Sequence, residues 1–260
     1  MPQGDRIHER SIVHKSAEIG DDVVIGHFSV IGPNVKIGDG TEISSNVCIE
    51  GWTEIGKNCQ IGHGAVLGGK PQIVEYQGER SFVKIGDNNV IREYVTINRS
   101  GKEDKATIIG NNCYLMAYTH IAHDCQIGNE VVITNYTGLP GHIVVEDKVV
   151  ISGYVGIHQF VHIGRLSMIS GLSRISKDIL PYSLIEGNPA KVRGINVIGL
   201  RRSNITPNIR NDIRQAFKLL FYSKLNTSQA LEKIKNEIEM HDEIRNIVEF
   251  IESSERGLCK

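Results

Sequence analysis

The sequence has few of the features that mark secreted, membrane-spanning or nucleic-acid-binding proteins. Only five of its 260 residues are cysteine, an odd number without a CxxC pair, which argues against a disulfide framework. No stretch approaches the roughly 20 apolar residues that span a bilayer, and the N-terminus lacks the apolar segment of a signal peptide. The 29 Lys and Arg balance 30 Asp and Glu. We therefore expect a cytoplasmic protein with no stable membrane insertion and no nucleic-acid partner.

Aromatic residues are also scarce, at 6% of the chain, whereas glycine is abundant at 27 residues. This composition indicates a core of small and aliphatic side chains connected by many tight turns. At 28.8 kDa the chain is long enough for one large domain or two smaller ones.

The dominant pattern is an aliphatic residue at every sixth position. It occurs 26 times, from Ile7 to Leu67, from Ile85 to Ile97 and from Ile109 to Ile175. A period of six fits neither a helix nor a simple strand, so each hexad is interpreted as a short strand plus a corner. Three hexads make an 18-residue coil whose aliphatic residues stack at about 4.8 Å. The repeat therefore predicts a parallel β-helix of eight to nine coils.

Two stretches interrupt the repeat without changing its phase, at residues 68–84 and 98–108. They predict loops that project from the β-helix, and loops on a rigid scaffold often carry binding residues. The hexads end at Pro181, and a connector then leads to three helical patterns. Thr206 and Pro207 are typical of the N-cap and first turn of the first helix. We predict a β-helix domain over residues 1–190 and a small helical domain over residues 191–260.

Positive charge is concentrated at the junction of these two parts. Residues 160–224 hold eleven Lys and Arg against three Asp and Glu. Such a basic surface suits an acidic partner or phosphate groups, although a solvated face gives the same pattern.

Coil arithmetic brings chemically reactive residues together. Adding 18 places Gly141 one coil above His123 and Gln159 one coil above Gly141, and it places His142 above Asp124. These residues form one column along a corner, at about 4.8 Å per level.

The column has the groups that acyl transfer needs. A histidine is a suitable general base near neutral pH, an adjacent aspartate can orient it, and a glycine N–H can stabilise an oxyanion. His120 and His158 lie in the same segments and would allow a zinc site instead, as in a γ-carbonic-anhydrase-like metalloenzyme. A third possibility is a noncatalytic hexapeptide scaffold. The carboxylate and the glycine favour acyl transfer, and we expect no metal.

Several motifs resemble those of the UDP-N-acetylglucosamine acyltransferases of lipid A synthesis. They are the hexads, THIAHDC, LPGH, HQF, EGNPAK, GINVIGLRR and the terminal ESSERGL, which together span nearly the whole chain. The hexads are typical of all hexapeptide transferases, whereas HIAHDC combined with the RGL tail is far more restrictive. The resemblance implies a left-handed parallel β-helix of hexapeptide repeats with a small C-terminal helical domain.

The resemblance also implies a reaction. The family is a homotrimer that moves an (R)-3-hydroxyacyl chain from acyl carrier protein to the 3-position of UDP-N-acetylglucosamine, the first step of lipid A biosynthesis. No cofactor is expected beyond the acyl carrier donor. An acceptor with a 3-amino group, which would give an amide, is an alternative.

Residue roles follow from the same resemblance. His123 would be the general base, Asp124 would orient it, and the Gly141 N–H would stabilise the oxyanion. The implied substrate-binding residues are Gln72, His120, His142, His158, Gln159, Asn196 and Arg202. Gly171 and Met168 would set acyl-chain length, with an open groove for a donor of about 12 to 14 carbons, since each buried methylene adds affinity. Arg165, Arg174 and Arg193 would dock the acidic carrier protein.

Three positions depart from the family pattern. Ile73 and Glu75 stand where the family often has an aspartate and a lysine, and Ile198 replaces a frequent glutamate. These differences bear on nucleotide affinity and on the identity of the acceptor.

Overall fold

The computed structural model describes residues 6–260, so residues 1–5 of the predicted first domain lie outside the described part. The hexads fold as predicted: nearly all give a short strand and most of the aliphatic residues are buried, whereas Ile7 at the first coil is 40% exposed and forms an isolated bridge. The first strands are β1 (Ile12–Val13), β2 (Glu18–Ile19), β3 (Val24–Ile25), β4 (Val30–Ile31), β5 (Lys36–Ile37), β6 (Glu42–Ile43), β7 (Cys48–Ile49), β8 (Thr53–Ile55), β9 (Gln60–Ile61), β10 (Val66–Gly69), β11 (Phe82–Ile85), β12 (Val90–Ile91), β13 (Thr96–Asn98) and β14 (Ala106–Ile109).

The remaining strands continue the same pattern as far as β25 (Arg174–Ile175), and two longer strands follow. They are β15 (Tyr114–Leu115), β16 (His120–Ile121), β17 (Gln126–Ile127), β18 (Val132–Ile133), β19 (Gly138–Leu139), β20 (Val144–Val145), β21 (Val150–Ile151), β22 (Gly156–Ile157), β23 (His162–Ile163), β24 (Met168–Ile169), β25 (Arg174–Ile175), β26 (Ser183–Glu186) and β27 (Lys191–Ile195).

These strands form three sheets that are the faces of a triangular prism. The first face runs from β1 through every third strand to β25, the second from β2 to β23, and the third from β3 to β24. Strands in successive coils pair in parallel, with Ile31 opposite Ile49 and Ile133 opposite Ile151. Because each strand is buried on its inner side only, the aliphatic residues stack in one continuous core. The predicted parallel β-helix is confirmed.

Tight turns at the corners make the short strands possible. The third residue after most aliphatic positions has a positive φ, for example +61° at Asp124 and +63° at His142. This left-handed conformation reverses the chain direction over few residues, and it is accessible to aspartate, asparagine and glycine at low cost. We call the corner that joins the first face to the second the histidine corner, since it holds His123 and His142.

Both interruptions of the repeat leave the prism at the histidine corner. The first loop, residues 70–81, connects β10 to β11, and the second loop, residues 99–105, connects β13 to β14. Both are shorter than the predicted 68–84 and 98–108 because the flanking strands extend into them. The loops therefore lie in the coils directly preceding the predicted site.

The predicted connector after Pro181 is wrong in part, because the chain forms further strands there. β26 pairs in parallel with β24 on the third face, and β27 returns antiparallel to β26. This hairpin spans residue 190, and the division into two domains there stays a prediction. The helices that follow are α1 (Val197–Arg202), α2 (Pro207–Phe221), α3 (Thr227–Glu237) and α4 (Asp242–Ser253).

The helices have their own apolar core, to which Phe217, Ile234 and Ile247 contribute. Thr206 caps α2 as predicted, since its side chain accepts a hydrogen bond from Ile209 N. The C-terminal tail then returns to the β-helix, where Leu258 bridges to Asp178. Within residues 6–260, no helix is both long and apolar enough to cross a membrane.

Candidate functional site

His123 and Asp124 form a hydrogen-bonded pair at the histidine corner. The Nδ1 atom of His123 lies 2.8 Å from Oδ2 of Asp124. An ionised carboxylate can only accept a hydrogen bond, so Nδ1 carries the hydrogen in the neutral ring and Nε2 has the free lone pair. The pair therefore presents a basic nitrogen whose tautomer is set by its neighbour.

Gly141 forms the surface against which the His123 ring packs. A Cβ atom at position 141 would lie 2.4 Å from Cε1 and 2.6 Å from Nε2 of His123. The ring occupies the space that any side chain at this position would need. His123 is 8% exposed, because it lies between this glycine and the preceding coil. It is nonetheless outside the aliphatic core.

The backbone N–H of Gly141 is a free hydrogen-bond donor. At the corresponding position of the next corner, Asn111 N donates to Asn129 Oδ1 at 2.9 Å and Asn129 N donates to Asp147 Oδ1 at 2.7 Å. Those N–H groups point along the prism to the side chain one coil later. Gly141 N has no such acceptor within residues 6–260, although the glycine is buried. A backbone donor that no protein acceptor uses is available to stabilise an oxyanion.

The second loop holds the Asp124 carboxylate from the coil before it. Ser100 Oγ lies 2.5 Å from Oδ1, and Gly101 N donates to Oδ2 at 3.2 Å. Burial acts to raise the pKa of Asp124, but the hydrogen bonds from Ser100, His123 and Gly101 outweigh it and lower that pKa. Asp124 is therefore ionised at neutral pH. Sequence analysis missed Ser100 and Gly101.

His142 and His120 flank the pair and are neutral at physiological pH. His142 stacks on Phe160 with ring centroids 4.6 Å apart, and His120 Nδ1 lies 2.7 Å from Thr96 Oγ1. Burial lowers the pKa of both rings, and the nearby His123 lowers each further. In the neutral form each ring can donate or accept one hydrogen bond to a substrate without adding charge.

His158 and Gln159 are exposed at the next level of the same corner. His158 Nδ1 lies 3.2 Å from Nη2 of Arg256, which belongs to the terminal RGL motif. The tail therefore reaches the predicted site, a contact that sequence spacing did not reveal. Gln72 is exposed in the first loop of this corner.

Asn196 and Arg202 lie at helix α1, away from the histidine corner. Asn196 caps α1 by accepting from Gly199 N at 3.0 Å, and its Nδ2 donates to Leu166 O at 2.8 Å. Leu166 belongs to the corner between the second and third faces. Arg202 is exposed in the last turn of α1. Within residues 6–260, no hydrogen bond or ion pair joins either residue to the histidine corner.

Of the residues predicted to set acyl length, Gly171 lies at the third corner and Met168 on the third face. Gly171 is exposed, and a Cβ atom there would meet Gly153 O at 3.2 Å. Met168 is half-buried in β24 on the third face.

Two of the three predicted docking arginines are exposed. These are Arg174 at the end of the first face and Arg193, which pairs with Glu186 at 3.1 Å. Arg165 is half-buried, and its backbone N donates to Glu146. Of the three predicted docking residues, Arg174 and Arg193 are thus the accessible ones.

His123, Asp124 and His142 also have the composition of a metal site. Each offers a ligand atom within 4.8 Å of the others. However, Asp124 Oδ2 already accepts from His123 Nδ1 and Gly101 N. This arrangement orients a base rather than presenting three free ligands, and it suits proton transfer at the corner.

Models of known families match two parts of the chain. The model described as Udp N-acetylglucosamine O-acyltransferase, Domain 2, matches residues 178–259. The bacterial transferase hexapeptide model, which holds six repeats, matches residues 16–51, 34–69 and 106–141.

Relatives of known name match between two thirds and nearly all of the chain. The chain is 51% identical to a UDP-N-acetylglucosamine O-acyltransferase of Aquifex aeolicus, over 98% of each chain. A protein of the same name from Gloeothece citriformis is 49% identical over 66% of this chain, and the match spans 63% of that relative. The crystal structure of a UDP-N-acetylglucosamine acyltransferase from Bacteroides fragilis superposes with a TM-score of 0.95 at 42% identity, over 97% of this chain and 99% of that one. The predicted left-handed β-helix with C-terminal helices is thereby confirmed.

Proposed function

Since this chain belongs to the UDP-N-acetylglucosamine O-acyltransferase family, we propose that it transfers an (R)-3-hydroxyacyl chain from acyl carrier protein to the 3-hydroxyl of UDP-N-acetylglucosamine. In the family this is the first step of lipid A biosynthesis. The relatives reported above are named for O-acyl transfer, and their names favour neither amide formation nor a carbonic anhydrase.

The observation that carries this proposal is the arrangement of base and donor on one corner. Asp124 binds Nδ1 of His123, Gly141 packs against the imidazole ring, and Gly141 N has no acceptor within residues 6–260. A hydroxyl nucleophile and a thioester carbonyl bound at this level would meet both groups. General-base catalysis and oxyanion stabilisation are the two contributions that acyl transfer requires.

The proposed mechanism has two steps. First, His123 Nε2 removes the proton from the sugar 3-hydroxyl as that oxygen attacks the thioester carbonyl carbon. The resulting tetrahedral oxyanion accepts a hydrogen bond from Gly141 N–H, and Asp124 stabilises the imidazolium. Second, the intermediate collapses, the C–S bond breaks, and the imidazolium returns its proton to the leaving thiolate. The products are an ester and the free carrier thiol, and no cofactor is required because the thioester is already activated.

A homotrimer is proposed because the predicted contacts lie at three different corners of one chain. His123 is at the histidine corner, Asn196 is tied to Leu166 at the second, and Gly171 is at the third. Side chains on separate corners of a prism cannot face one cavity within the same chain. Neighbouring copies would bring base, nucleotide contacts and acyl groove together in a cleft between subunits.

The carrier protein is proposed to dock at the basic junction. Arg174 and Arg193 are exposed there, and an acidic partner would be drawn to them by long-range attraction. We place the reaction in the cytoplasm, which is supported by five cysteines that are all unpaired.

The proposed reaction is tested by offering two acceptors to the full-length protein with carrier-bound 3-hydroxyacyl donors. We expect an alkali-labile ester with UDP-N-acetylglucosamine, with the 3-amino analogue a poorer acceptor. Chelation should leave the rate unchanged. Amide formation alone would identify the 3-amino sugar as the acceptor, and loss of activity on chelation with recovery on adding zinc would revive the metalloenzyme alternative.

Acyl length is tested by Gly171→Met. The backbone at Gly171 has no positive φ, so a larger side chain is compatible with the turn and would fill the groove. Each lost methylene contact costs about 0.8 kcal/mol, so a groove two carbons shorter should discriminate by roughly tenfold. We expect wild type to prefer a 14-carbon over a 10-carbon donor in competition, and Gly171→Met to reverse this. Leu172→Met, which keeps side-chain size, should retain the wild-type preference; an unshifted Gly171→Met would contradict the assignment.

A further inference from the structure

The second loop and the strand that follows it both bind Asp124. At the start of the loop, Ser100 Oγ and Gly101 N bind the two carboxylate oxygens. Just after the loop, in β14, Thr107 Oγ1 accepts from the Asp124 backbone N at 2.9 Å. Residues of this segment therefore form hydrogen bonds with both the side chain and the main chain of Asp124.

The Ser100 hydroxyl can donate one hydrogen bond, and the distances show that it donates this bond to Asp124. Ser100 Oγ lies 2.5 Å from Asp124 Oδ1 but 3.3 Å from Lys102 O. Lys102 N donates to Ser100 Oγ at 3.0 Å, which occupies a lone pair of the hydroxyl. Hydrogen bonds to an ionised acceptor are shorter and stronger than those to a neutral carbonyl.

Ser100 itself is rigidly placed. Its side chain is fully buried, and its backbone carbonyl accepts from Ser81 Oγ at 2.5 Å. Ser81 lies at the end of the first loop, so the two loops are tied together at the residue that touches the carboxylate. Because the Ser100 side chain is already ordered, it loses little conformational entropy when its hydroxyl binds the Asp124 carboxylate.

We propose that Ser100 is a positioning residue: by holding Oδ1 of Asp124 it directs Oδ2 to His123 and sets the orientation and proton affinity of that imidazole. The proposal rests on acyl transfer at this corner. It assigns a role to the second loop that neither the hexads nor the HIAHDC motif indicate.

The physical effect of Ser100 has a definite sign. With the hydroxyl bound, part of the negative charge on Asp124 is compensated, and the carboxylate stabilises a charged His123 less strongly. Without it, the carboxylate interacts more strongly with the imidazolium, so the charged ring is favoured more in the variant than in the wild type. The other charged or titratable groups near the pair are His120, His142 and Lys102, and substitution of Ser100 leaves them in place.

The kinetic test compares Ser100→Ala with wild type. We expect kcat to fall by about 10- to 100-fold, the range typical when the partner of a functional side chain is removed. The KM values for UDP-sugar and carrier should stay close to wild type. The acid limb of the kcat/KM profile should move up by about half to one pH unit, because a more basic imidazole needs a higher pH to be unprotonated.

Two further variants separate this role from a purely structural one. Ser100→Thr keeps the hydroxyl and should restore both rate and pH profile, whereas Ser100→Gly should behave as the alanine variant. Ser29→Ala is the matched control, since Ser29 is also fully buried and bonds to Ser44 O and Val47 N on a distant coil. It should leave kcat and the pH profile unchanged.

A measurement without turnover distinguishes failure of this proposal from failure of the proposed reaction. The His123 ring is titrated by NMR in the full-length protein with 13Cε1-labelled histidine, assigned by His123→Gln. A higher His123 pKa in Ser100→Ala supports the positioning role even if no acyl transfer is detected. An unchanged titration, or an unchanged pH profile in an active and folded Ser100→Ala protein, overturns it.

Discussion

His123→Ala should lower kcat by at least about two orders of magnitude while the protein stays folded. General-base catalysis contributes about 10²- to 10⁴-fold, and no other side chain at this corner combines a free imidazole Nε2 with an orienting carboxylate. His142 and His120 lack such a carboxylate partner at hydrogen-bond distance, and the pKa of each is lowered by burial. Neither can replace the lost base effectively.

The measurement is steady-state turnover of the carrier-bound donor with UDP-sugar, together with a thermal unfolding midpoint. His63→Ala is a suitable control, since His63 lies at another corner and accepts from Ser45 N at 3.2 Å. It should keep nearly full activity. Turnover close to wild type in a folded His123→Ala protein would remove His123 from the mechanism.

Gly141→Ala should be nearly as damaging, although it adds only one methyl group. The new Cβ would lie 2.4 Å from Cε1, 2.6 Å from Nε2 and 3.1 Å from Nδ1 of His123. Real Cβ atoms do not approach ring atoms this closely, so the imidazole must move away from Asp124 or the coil must shift. A displacement of about 1 Å at a reacting group can cost about 10²-fold in rate, and we expect a loss of that order.

A matched glycine three residues earlier provides the control. A Cβ at Gly138 meets nothing within 4 Å, so Gly138→Ala should have kcat close to wild type. If Gly141→Ala acts by displacing His123, the double variant with His123→Ala should be hardly worse than His123→Ala alone. Full activity of Gly141→Ala would show that the ring can relax without loss, and additive losses would assign Gly141 a role independent of His123.

Sequence arithmetic predicted the centre of the candidate site well. Residues spaced by 18 had to stack, because the hexad period and the strand spacing leave one register for the coils. Gly141 therefore lies over His123 as predicted, and their contact follows from the absence of a side chain. The same arithmetic does not place Ser100 below Asp124, because the second loop lengthens that coil and Ile97 pairs with Ile121 at a spacing of 24.

The loops and the tail were not predictable in this way. Nothing in residues 99–105 indicates that the loop folds back to hold Asp124 rather than projecting into solvent. Likewise, the contact of Arg256 with His158 joins residues 98 positions apart through the packing of the tail on the last coil. Irregular segments lack a repeat to set their register, so their contacts depend on what they meet.

The sequence by itself determined the β-helix, its three faces, the burial of its aliphatic residues and the column that holds His123, Asp124 and Gly141. It did so because a strict period of six allows only one way to bury every aliphatic side chain. Only the tertiary structure decided that both loops leave from the histidine corner, that Ser100 binds the carboxylate, and that Asn196 is committed to a helix cap at another corner. Those outcomes depend on single hydrogen bonds between residues far apart in the sequence. The energy of each bond depends on its distance and burial, and no repeat in the sequence indicates it.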